Sequence, residues 1–246
     1  MRHLILTDIH GNIDALEAVL RDASGEYDEV VCCGDLVGYG ASPTEVIEWV
    51  RQEAAFIVRG NHDRAVWEDG LKETFNLAAQ AAIEWCLREI DPADIEWLRQ
   101  LPAGPVWPYD FGLAHGSPLD EDEYIAFTED IIGLERAFER SLLFFGHTHV
   151  QGGWIWGQGE IRSAPAPTAR ESQRVLEVIP DFFHMINPGS VGQPRDHDPR
   201  AAYAVWDSER KLLFLRRVAY DIRAAQKKIM AAGLPLSLAT RLASGR

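Results

Sequence analysis

Apolar runs and helical patterns alternate through the first sixty residues, and this alternation restricts the folds open to the chain. The apolar runs occupy residues 3–7, 29–33 and 55–58, and the helical patterns occupy residues 13–20 and 44–52. Consecutive parallel strands need a crossover connection, and the single helix between each pair of runs supplies one. The sequence therefore predicts a parallel α/β sheet at the beginning of the chain.

The remaining residues predict a helical excursion, a set of closely spaced strands and two terminal helices. Apolar residues recur at helical spacing over about residues 66–101, which indicates a departure from the sheet. Short strand patterns then follow one another between residues 111 and 218 with little helix between them, which favours antiparallel pairing and a mixed sheet system. The proline-containing residues 162–170 are expected to form an exposed loop, and residues 221–243 to form two helices.

Length and composition are compatible with one domain. The chain has 246 residues, of which 46% are hydrophobic, so it can bury a substantial core. It contains no internal repeat, no long low-complexity segment and no evident hinge. We therefore expect residues 1–246 to form a single α/β domain.

The net charge of the chain restricts the classes of partner that it is expected to bind. The formal net charge of −14 repels duplex nucleic acid and anionic membrane surfaces at long range. A small phosphorylated substrate is still compatible with this charge, because bound cations can dominate the field inside one cleft. No sequence feature predicts the oligomeric state.

Cysteine usage and hydropathy favour a cytoplasmic protein without a membrane span. The three cysteines are odd in number and form no CxxC motif, so a thiolate zinc site is not expected. The apolar run before Asp8 is too short for the core of a signal peptide. No uncharged apolar stretch reaches about eighteen residues, the usual lower limit for a transmembrane helix.

Polar residues collect directly after five of the predicted strands, where open α/β sheets place their ligands. One such residue is most often a turn former, a helix cap or a structural histidine. Five groups in equivalent positions, each with a glycine close by, instead favour a shared ligand site. The groups are Asp8-Ile9-His10-Gly11, Gly34-Asp35, Gly60-Asn61-His62-Asp63, His115-Gly116 and Gly146-His147-Thr148-His149.

The donor atoms in these groups are suited to divalent metal ions. Carboxylate oxygen and imidazole nitrogen together bind Mn, Fe, Co, Ni or Zn, and the sequence does not choose among these ions. Alternate residues of an extended segment point the same way, so Asp8 and His10 are expected to share one ion. The same argument predicts that His147 and His149 converge.

The order of these five groups along the chain resembles the calcineurin-like metallophosphoesterase superfamily. The segment from Asn187 to Arg195 also resembles the compact bacterial branch of that superfamily. The resemblance covers essentially the whole chain. It implies an α/β fold in which two mixed β-sheets pack as a sandwich flanked by helices, and a site that holds two divalent metal ions.

The resemblance also implies which residues bind the two ions. Seven ligands come from the five groups, and one carboxylate bridges the pair. These ligands are Asp8, His10 and His149 for the first ion, Asp35 for both ions, and Asn61, His115 and His147 for the second ion.

In the family, a metal-bridging hydroxide attacks phosphorus and a histidine donates a proton to the leaving oxygen. His62 matches that histidine. Asp63 follows it and is expected to orient or charge-stabilise the imidazole. Arg195 is a candidate for binding the substrate phosphate, with a surface ion pair to Asp196 or Asp198 as the alternative.

One departure from the family pattern bears on the substrate. Protein Ser/Thr phosphatases of this superfamily carry an Asp-Arg pair shortly after the bridging aspartate, whereas this chain has Gly38-Tyr39 there. The sequence therefore favours a phosphate ester of a small molecule, and Tyr39 is a candidate for lining the cleft. A phosphodiesterase, a dinucleoside polyphosphate hydrolase, a mononuclear enzyme and a non-catalytic scaffold of the same fold remain alternatives.

Overall fold

The computed structural model describes residues 1–246. The chain begins, as predicted, with alternating strands and helices: β1 (Arg2–Leu6), α1 (Ile13–Asp22), β2 (Glu29–Cys32), α2 (Pro43–Glu53) and β3 (Ala54–Ile57). After α3 (Asn61–Ala65), the helical excursion contains α4 (Leu77–Glu89) and α5 (Pro92–Gln100). Eight further strands follow: β4 (Gly112–Leu113), β5 (Leu142–Phe144), β6 (Gly152–Gly157), β7 (Glu160–Ala164), β8 (Gln173–Glu177), β9 (Phe183–Asn187), β10 (Ala201–Asp207) and β11 (Leu212–Val218). The chain ends with α6 (Ile222–Ala231) and α7 (Leu236–Leu242).

Local sequence accounts for where several helices begin. The side chain of Asn12 accepts a hydrogen bond from the N–H of Ala15 at the start of α1, and Asn76 and Asp221 cap α4 and α6 in the same way. Pro43 and Pro92 occupy the first turns of α2 and α5, where a missing N–H costs nothing.

The strands form two sheets, each with a parallel and an antiparallel part. The first sheet has the order β3-β2-β1-β10-β11-β8, in which β1, β2 and β3 are parallel. The second has the order β4-β5-β9-β6-β7, in which β4, β5 and β9 are parallel. The antiparallel strands come from the second half of the sequence, so the prediction of mixed sheets is confirmed.

The two sheets pack face to face around an apolar core. Ile5 of β1 and Val31 of β2 point into this core, where they belong to one buried cluster with Phe144 of β5. Their neighbours along the strand, Leu4 and Leu6, point to the other face and pack in a separate cluster with α1 and α2. Burial on both faces explains why β1 and β2 are continuous apolar runs and do not alternate with polar residues.

The outer faces of the sandwich are covered differently. Helices α1, α2, α4 and α5 cover the first sheet. The second sheet is covered by the segment between β4 and β5, whose two short 3₁₀ helices contribute Ile131 and Leu134 against Trp156 and Met185. The predicted fold class, a sandwich of two mixed sheets flanked by helices, is confirmed.

The expectation of an exposed loop over residues 162–170 is wrong for its first part. β7 (Glu160–Ala164) forms a hairpin with β6 through Gln158 and Gly159, which both have positive φ (52° and 81°). Two left-handed residues match the twist of a tight hairpin, and this turn is not an Asn-Gly or Asp-Gly signal. β7 lies at the sheet edge and is largely exposed, so it lacks the apolar alternation that would identify it.

Strands from opposite ends of the chain complete the first sheet, since β1 lies between β2 and β10. We propose on this basis that residues 1–246 fold as one domain. The terminal helices pack through Ile229 and Leu238 onto Tyr39 and Ala82, so the end of the chain supports the loop that follows β2. None of the helices combines the length and apolar character needed to cross a bilayer.

Substitution of Phe144 tests how much the core between the two sheets contributes to stability. Its side chain is fully buried and its ring meets that of Phe111 edge to face at 5.4 Å. We expect Phe144→Ala to lower the free energy of unfolding by about 3–5 kcal/mol, because a large cavity replaces the ring. Phe127→Ala, at a side chain that is 70% exposed, should change it by less than about 0.5 kcal/mol. Urea denaturation of both variants measures the difference, and equal midpoints would contradict the assignment of this core.

Candidate metal centre and active site

The five sequence groups meet where the parallel strands of both sheets end. The loop after β1 runs beside the loop after β2, with the N–H of Asp8 donating to Gly34 O (3.0 Å) and that of His10 donating to Asp35 O (3.0 Å). The second sheet joins them through the N–H of His147, which donates to Asp8 Oδ1 at 3.2 Å. One edge of the sandwich therefore carries the polar residues of both sheets.

Backbone conformation in these loops differs from the extended geometry expected from the sequence. Ten non-glycine residues have positive φ, and six of them belong to this site. Asp8 (51°) and His10 (49°) do not point together as alternate residues of a strand, but as left-handed residues of a tight loop. The six residues are Asp8, His10, Asp35, Tyr39, His147 and His149. Such conformations cost about 1–3 kcal/mol each and concentrate at functional sites.

Close backbone approach explains the glycine at the start of α3. A Cβ atom on Gly60 would overlap the Oδ1 atom of Asp35. The same oxygen accepts a hydrogen bond from the N–H of His62 at 2.9 Å. Gly60 therefore lets the beginning of α3 lie directly against the Asp35 carboxylate.

Two groups of buried donor atoms lie at the centre of the site. The first contains Asp8, His10, Asp35 and His149, and the second contains Asp35, His115 and His147. Within each group one ligand atom per residue lies within 4.8 Å of all the others. Asp35 belongs to both groups, which is the arrangement expected of a carboxylate between two ions.

Hydrogen bonds fix the imidazole rings so that a nitrogen faces the centre. The Nδ1 atoms of His10, His115 and His149 lie 2.8, 2.8 and 2.6 Å from the backbone oxygens of Val37, Cys33 and Gln193. A carbonyl oxygen only accepts, so each Nδ1 carries a proton and Nε2 is the nitrogen that faces the other donors. His147 is turned the other way, since its Nε2 lies 3.1 Å from Asp122 O. This outer ring of acceptors is typical of metal-binding histidines.

The donor set fits divalent cations. The Nε2 atoms of His10 and His149 lie only 3.1 Å apart, although both are left unprotonated by their Nδ1 hydrogen bonds. Two lone pairs at this distance repel each other unless a positive charge is shared between them. The Oδ1 atom of Asn61 lies 3.3 Å from His115 Nε2, which places the predicted amide ligand beside the second group.

Burial shifts the pKa values of Asp8 and His149 in this cluster toward the uncharged forms. It raises the pKa of the Asp8 carboxyl to about 7, against the effect of His115 and with that of Asp35. It also lowers the pKa of the His149 imidazole well below its ordinary value, and the charge of Arg195 acts in the same direction. Burial also acts to lower the pKa of His115, but the Asp35 carboxylate outweighs it and raises that pKa to about 10. The folded chain thus surrounds its buried carboxylates with one ion-paired imidazole and with others whose pKa values are lowered.

His62 lies between the metal-ligand cluster and the cavity. Its ring contacts those of Tyr39 and Phe75, with centroids 4.4 and 4.8 Å away. Its Nδ1 atom is buried without a hydrogen-bond partner next to Gly38, so Nε2 is the nitrogen left for the cavity. Burial lowers the pKa of His62 to about 4, although the charge of Asp35 acts to raise it.

Asp63 contacts the backbone and not the imidazole of His62. Its two carboxylate oxygens accept hydrogen bonds from four backbone N–H groups, at distances of 2.8–3.3 Å. The donors belong to Asp35, Leu36, Val37 and Gly60. These contacts make Asp63 a residue that holds the loop after β2 against the start of α3, which differs from the orientation of the imidazole expected from the sequence.

A cavity of about 330 Å³ opens beside this cluster, and Arg195 and Tyr39 line it. The guanidinium of Arg195 donates to Tyr39 Oη and Gln193 Oε1, both at 3.2 Å. The surface ion pairs considered as an alternative do not form, because Asp196 pairs with Arg217 and Asp198 pairs with Arg200. Arg195 therefore keeps its charge uncompensated by a carboxylate at the cavity wall.

The segment after β9 supports the metal-ligand loops from behind. Asn187 Nδ2 donates to Gly146 O (2.8 Å) and to Thr148 Oγ1 (3.0 Å). Ser190 Oγ donates to Asp8 O at 2.7 Å. The segment that resembles the compact bacterial branch thus fixes the loops after β1 and β5 in place.

An acidic loop that was not predicted as part of the site lies over the second donor group. Asp122 supplies the carbonyl oxygen that faces His147, and the Tyr124 ring lies 4.0 Å from that of His147. Arg59 holds the loop through two hydrogen bonds to Glu121 (2.8 and 2.9 Å), and Arg64 pairs with Asp122 at 2.7 Å. The run of four acidic residues at positions 120–123 was the available signal, but a charge run is usually a solvated surface.

The helical excursion also contributes residues that the sequence did not single out. Leu71, Thr74, Phe75, Asn76 and Ala79 line the same cavity. The turn before α4 carries most of them, and no motif marks it. Its position over the cavity is a consequence of tertiary packing.

Comparison with known proteins identifies the family. The model of the calcineurin-like phosphoesterase superfamily domain matches residues 1–211. The chain belongs to this superfamily. Its members are phosphoesterases that typically bind divalent metals, which agrees with the buried donor groups. The resemblance inferred from the five sequence groups is confirmed.

Similar proteins extend over the full chain. The uncharacterized protein MJ0912 of Methanocaldococcus jannaschii is 31% identical over 256 residues, covering 98% of this chain and 97% of its own. The crystal structure of a metallophosphoesterase from Sphaerobacter thermophilus superposes with a TM-score of 0.86 and 38% identity, covering 100% of this chain and 99% of that one. The hypothetical protein PH1004 from Pyrococcus horikoshii OT3 has the same fold, with a TM-score of 0.75, 21% identity, and coverage of 100% and 98%.

The hydrogen bonds to Asp63 predict a strong effect of a nearly isosteric substitution. Asp63→Asn replaces an oxygen that accepts buried N–H groups with an amide donor, so we expect a loss of about 2–4 kcal/mol in the free energy of unfolding. Asp130→Asn is the matched control, because its half-buried carboxylate accepts two backbone N–H groups and does not line the cavity. That variant should lose about 1 kcal/mol. Chemical denaturation compares the two, and an unaffected Asp63→Asn protein would show that the carboxylate does not hold the loops.

Proposed function

We propose that this chain is a dinuclear metal-dependent phosphoesterase that hydrolyses a phosphate ester of a small molecule. The observation that supports it is the pair of buried donor groups sharing Asp35, next to a cavity with an arginine that has no carboxylate partner. Membership of a phosphoesterase superfamily makes hydrolysis of a phosphate ester the chemistry to expect.

The proposed ligands are those that the family resemblance implies. They are Asp8, His10 and His149 for one ion, Asn61, His115 and His147 for the other, and Asp35 for both. When bound, the two cations would lower the pKa of a water molecule and neutralise charge on the phosphate. The donor set accepts Mn, Fe, Zn, Ni or Co.

Arg195 is the proposed phosphate-binding residue of the chain itself. Its guanidinium retains donors for two oxygens of a phosphate, and charge-assisted hydrogen bonds of this kind are strong and directional. Tyr39 holds the guanidinium through its hydroxyl oxygen at 3.2 Å and through its ring, which lies 5.6 Å from the Arg195 Cζ atom. Tyr39 would therefore orient Arg195 and line the cleft beside it.

His62 is the proposed proton donor to the leaving oxygen, acting through Nε2. A pKa of about 4 leaves its imidazole neutral near pH 7 when no anion lies beside it. A phosphate dianion within hydrogen-bond distance would raise that pKa, because an opposite charge favours the protonated ring. The proton is thus expected to be taken up together with the substrate.

The net charge of −14 disfavours duplex nucleic acid and anionic membranes as partners, so a small phosphorylated substrate is proposed. The same donor groups would also support a phosphodiesterase. Comparing activity on phosphate diesters with activity on monoesters distinguishes a phosphodiesterase from a phosphomonoesterase. The scaffold alternative is disfavoured because His62 and every proposed ligand are present and converge. Location in the cytoplasm stays a sequence-based prediction.

Replacement of His62 separates proton donation from metal binding. We expect His62→Ala to lower kcat by about 10²–10⁴-fold on an alkyl phosphate, while metal content per chain stays unchanged. His197→Ala is the control, since that histidine is exposed and lies outside both donor groups. Steady-state kinetics with elemental analysis measures both quantities. Turnover equal to that of the unsubstituted chain would reject His62 as the acid.

Substitution of Asp35 tests whether its carboxylate binds both ions. Asp35→Asn removes the charge common to both donor groups, so we expect loss of both ions during dialysis. His115→Gln should release one ion and retain the other. Elemental analysis after metal loading and dialysis gives the number of ions per chain, with the exposed Asp91→Asn as a control. One ion per unsubstituted chain under these conditions would favour a mononuclear site.

A further inference from the structure

One wall of the cavity next to His62 is built by the turn before α4. Leu71, Thr74, Phe75 and Asn76 belong to this segment, and Ala79 follows in the first turns of the helix. None of these five side chains is charged. This wall therefore differs in character from the rest of the cavity lining, which includes Arg195, Asp122 and several metal-ligand candidates.

Phe75 is the largest side chain in that wall, and its position is fixed by packing. Its ring lies against His62 with an interplanar angle of 35°, and it also packs against buried residues of the first-sheet and terminal-helix clusters. The side chain is nevertheless only half-buried, so part of it remains open to the cavity. A fixed and partly exposed aromatic ring is a surface on which a second flat ring can stack.

The position of His62 determines which part of a substrate would reach this wall. A proton donor must lie within hydrogen-bond distance of the leaving oxygen. The group attached to that oxygen would then lie next to His62, and Phe75 is in contact with His62. The phosphate would lie on the other side, near Arg195 and Asp35.

Charge limits the leaving group further. Arg195 is the only arginine or lysine lining the cavity, and it lies on the phosphate side. Lys72 of the turn pairs with Glu84 at 3.3 Å, and Arg64 pairs with Asp122 at 2.7 Å, so neither is free to bind a second phosphate. A leaving group with additional phosphates would meet an uncharged wall with no cation to neutralise it.

We propose that the leaving group is an uncharged planar ring that stacks on Phe75, which makes Phe75 a specificity-determining residue. This inference rests on the proposed phosphoesterase function. It favours esters of aromatic or heteroaromatic alcohols over dinucleoside polyphosphates. Asn76 uses its Oδ1 atom to cap α4, which leaves its amide N–H groups for a polar atom at the edge of such a ring.

Benzyl phosphate and ethyl phosphate test the inference, because their leaving alcohols have similar basicity and differ in the ring. The metal-loaded chain should have a higher kcat/KM for benzyl phosphate than for ethyl phosphate. Phe75→Leu should lower the benzyl-to-ethyl ratio of kcat/KM about tenfold, the size of a lost aromatic contact. Phe75→Tyr should retain the ratio, since it keeps the ring, and Phe127→Leu at an exposed site should leave both activities unchanged.

The outcomes separate this inference from the proposed function. If the metal-loaded chain hydrolyses neither ester and no other phosphate ester, the phosphoesterase proposal fails. If it hydrolyses both esters with equal kcat/KM, or if Phe75→Leu leaves the ratio unchanged, the stacking inference is overturned while hydrolysis stands. A higher kcat/KM for a dinucleoside polyphosphate than for benzyl phosphate would also overturn it. Should Phe75→Leu fail to fold by circular dichroism, Phe75→Met provides the same comparison.

Discussion

The buried carboxylate of Asp35 is the group on which the rest of this site depends. It belongs to both donor groups, and its Oδ1 atom accepts the N–H of His62 while its own N–H donates to Asp63. A buried charge is costly unless it is paired and hydrogen-bonded. His115 pairs with Asp35 at 3.4 Å, whereas burial lowers the pKa values of His10 and His149 well below the ordinary value. The chain thus gathers buried carboxylate and imidazole donors whose natural complement is a divalent metal ion.

Holding that carboxylate in place requires strained loops and a rigid frame around them. Six residues of the site have left-handed backbone conformations, and hydrogen bonds from Asn187 and Ser190 fix the loops behind them. The frame is the sandwich itself, in which strands from the beginning and end of the chain share one sheet. The stability of the core is therefore what holds the site in its strained geometry.

The segments expected to determine substrate specificity differ from those expected to bind the metal ions. The metal-ligand candidates follow the parallel strands, whereas the cavity walls come from the turn before α4 and from the acidic loop that closes over His147. These segments lie outside the strands, so the two sheets place few restrictions on their sequences. One scaffold can accordingly support the same hydrolysis of different esters when only its loops change.

The sequence by itself determined the parallel start of the fold, the mixed sheets and the residues that meet at the strand ends, because periodicity and donor chemistry are local properties. It could not show that Asp8 and His10 converge through left-handed loops or that β7 forms a hairpin with β6. It also could not show that the Asp63 carboxylate accepts hydrogen bonds from backbone N–H groups. The contact between Phe75 and His62 and the lack of a carboxylate partner for Arg195 were likewise not predictable from the sequence. Those features depend on which distant segments pack together, and only tertiary structure decides that.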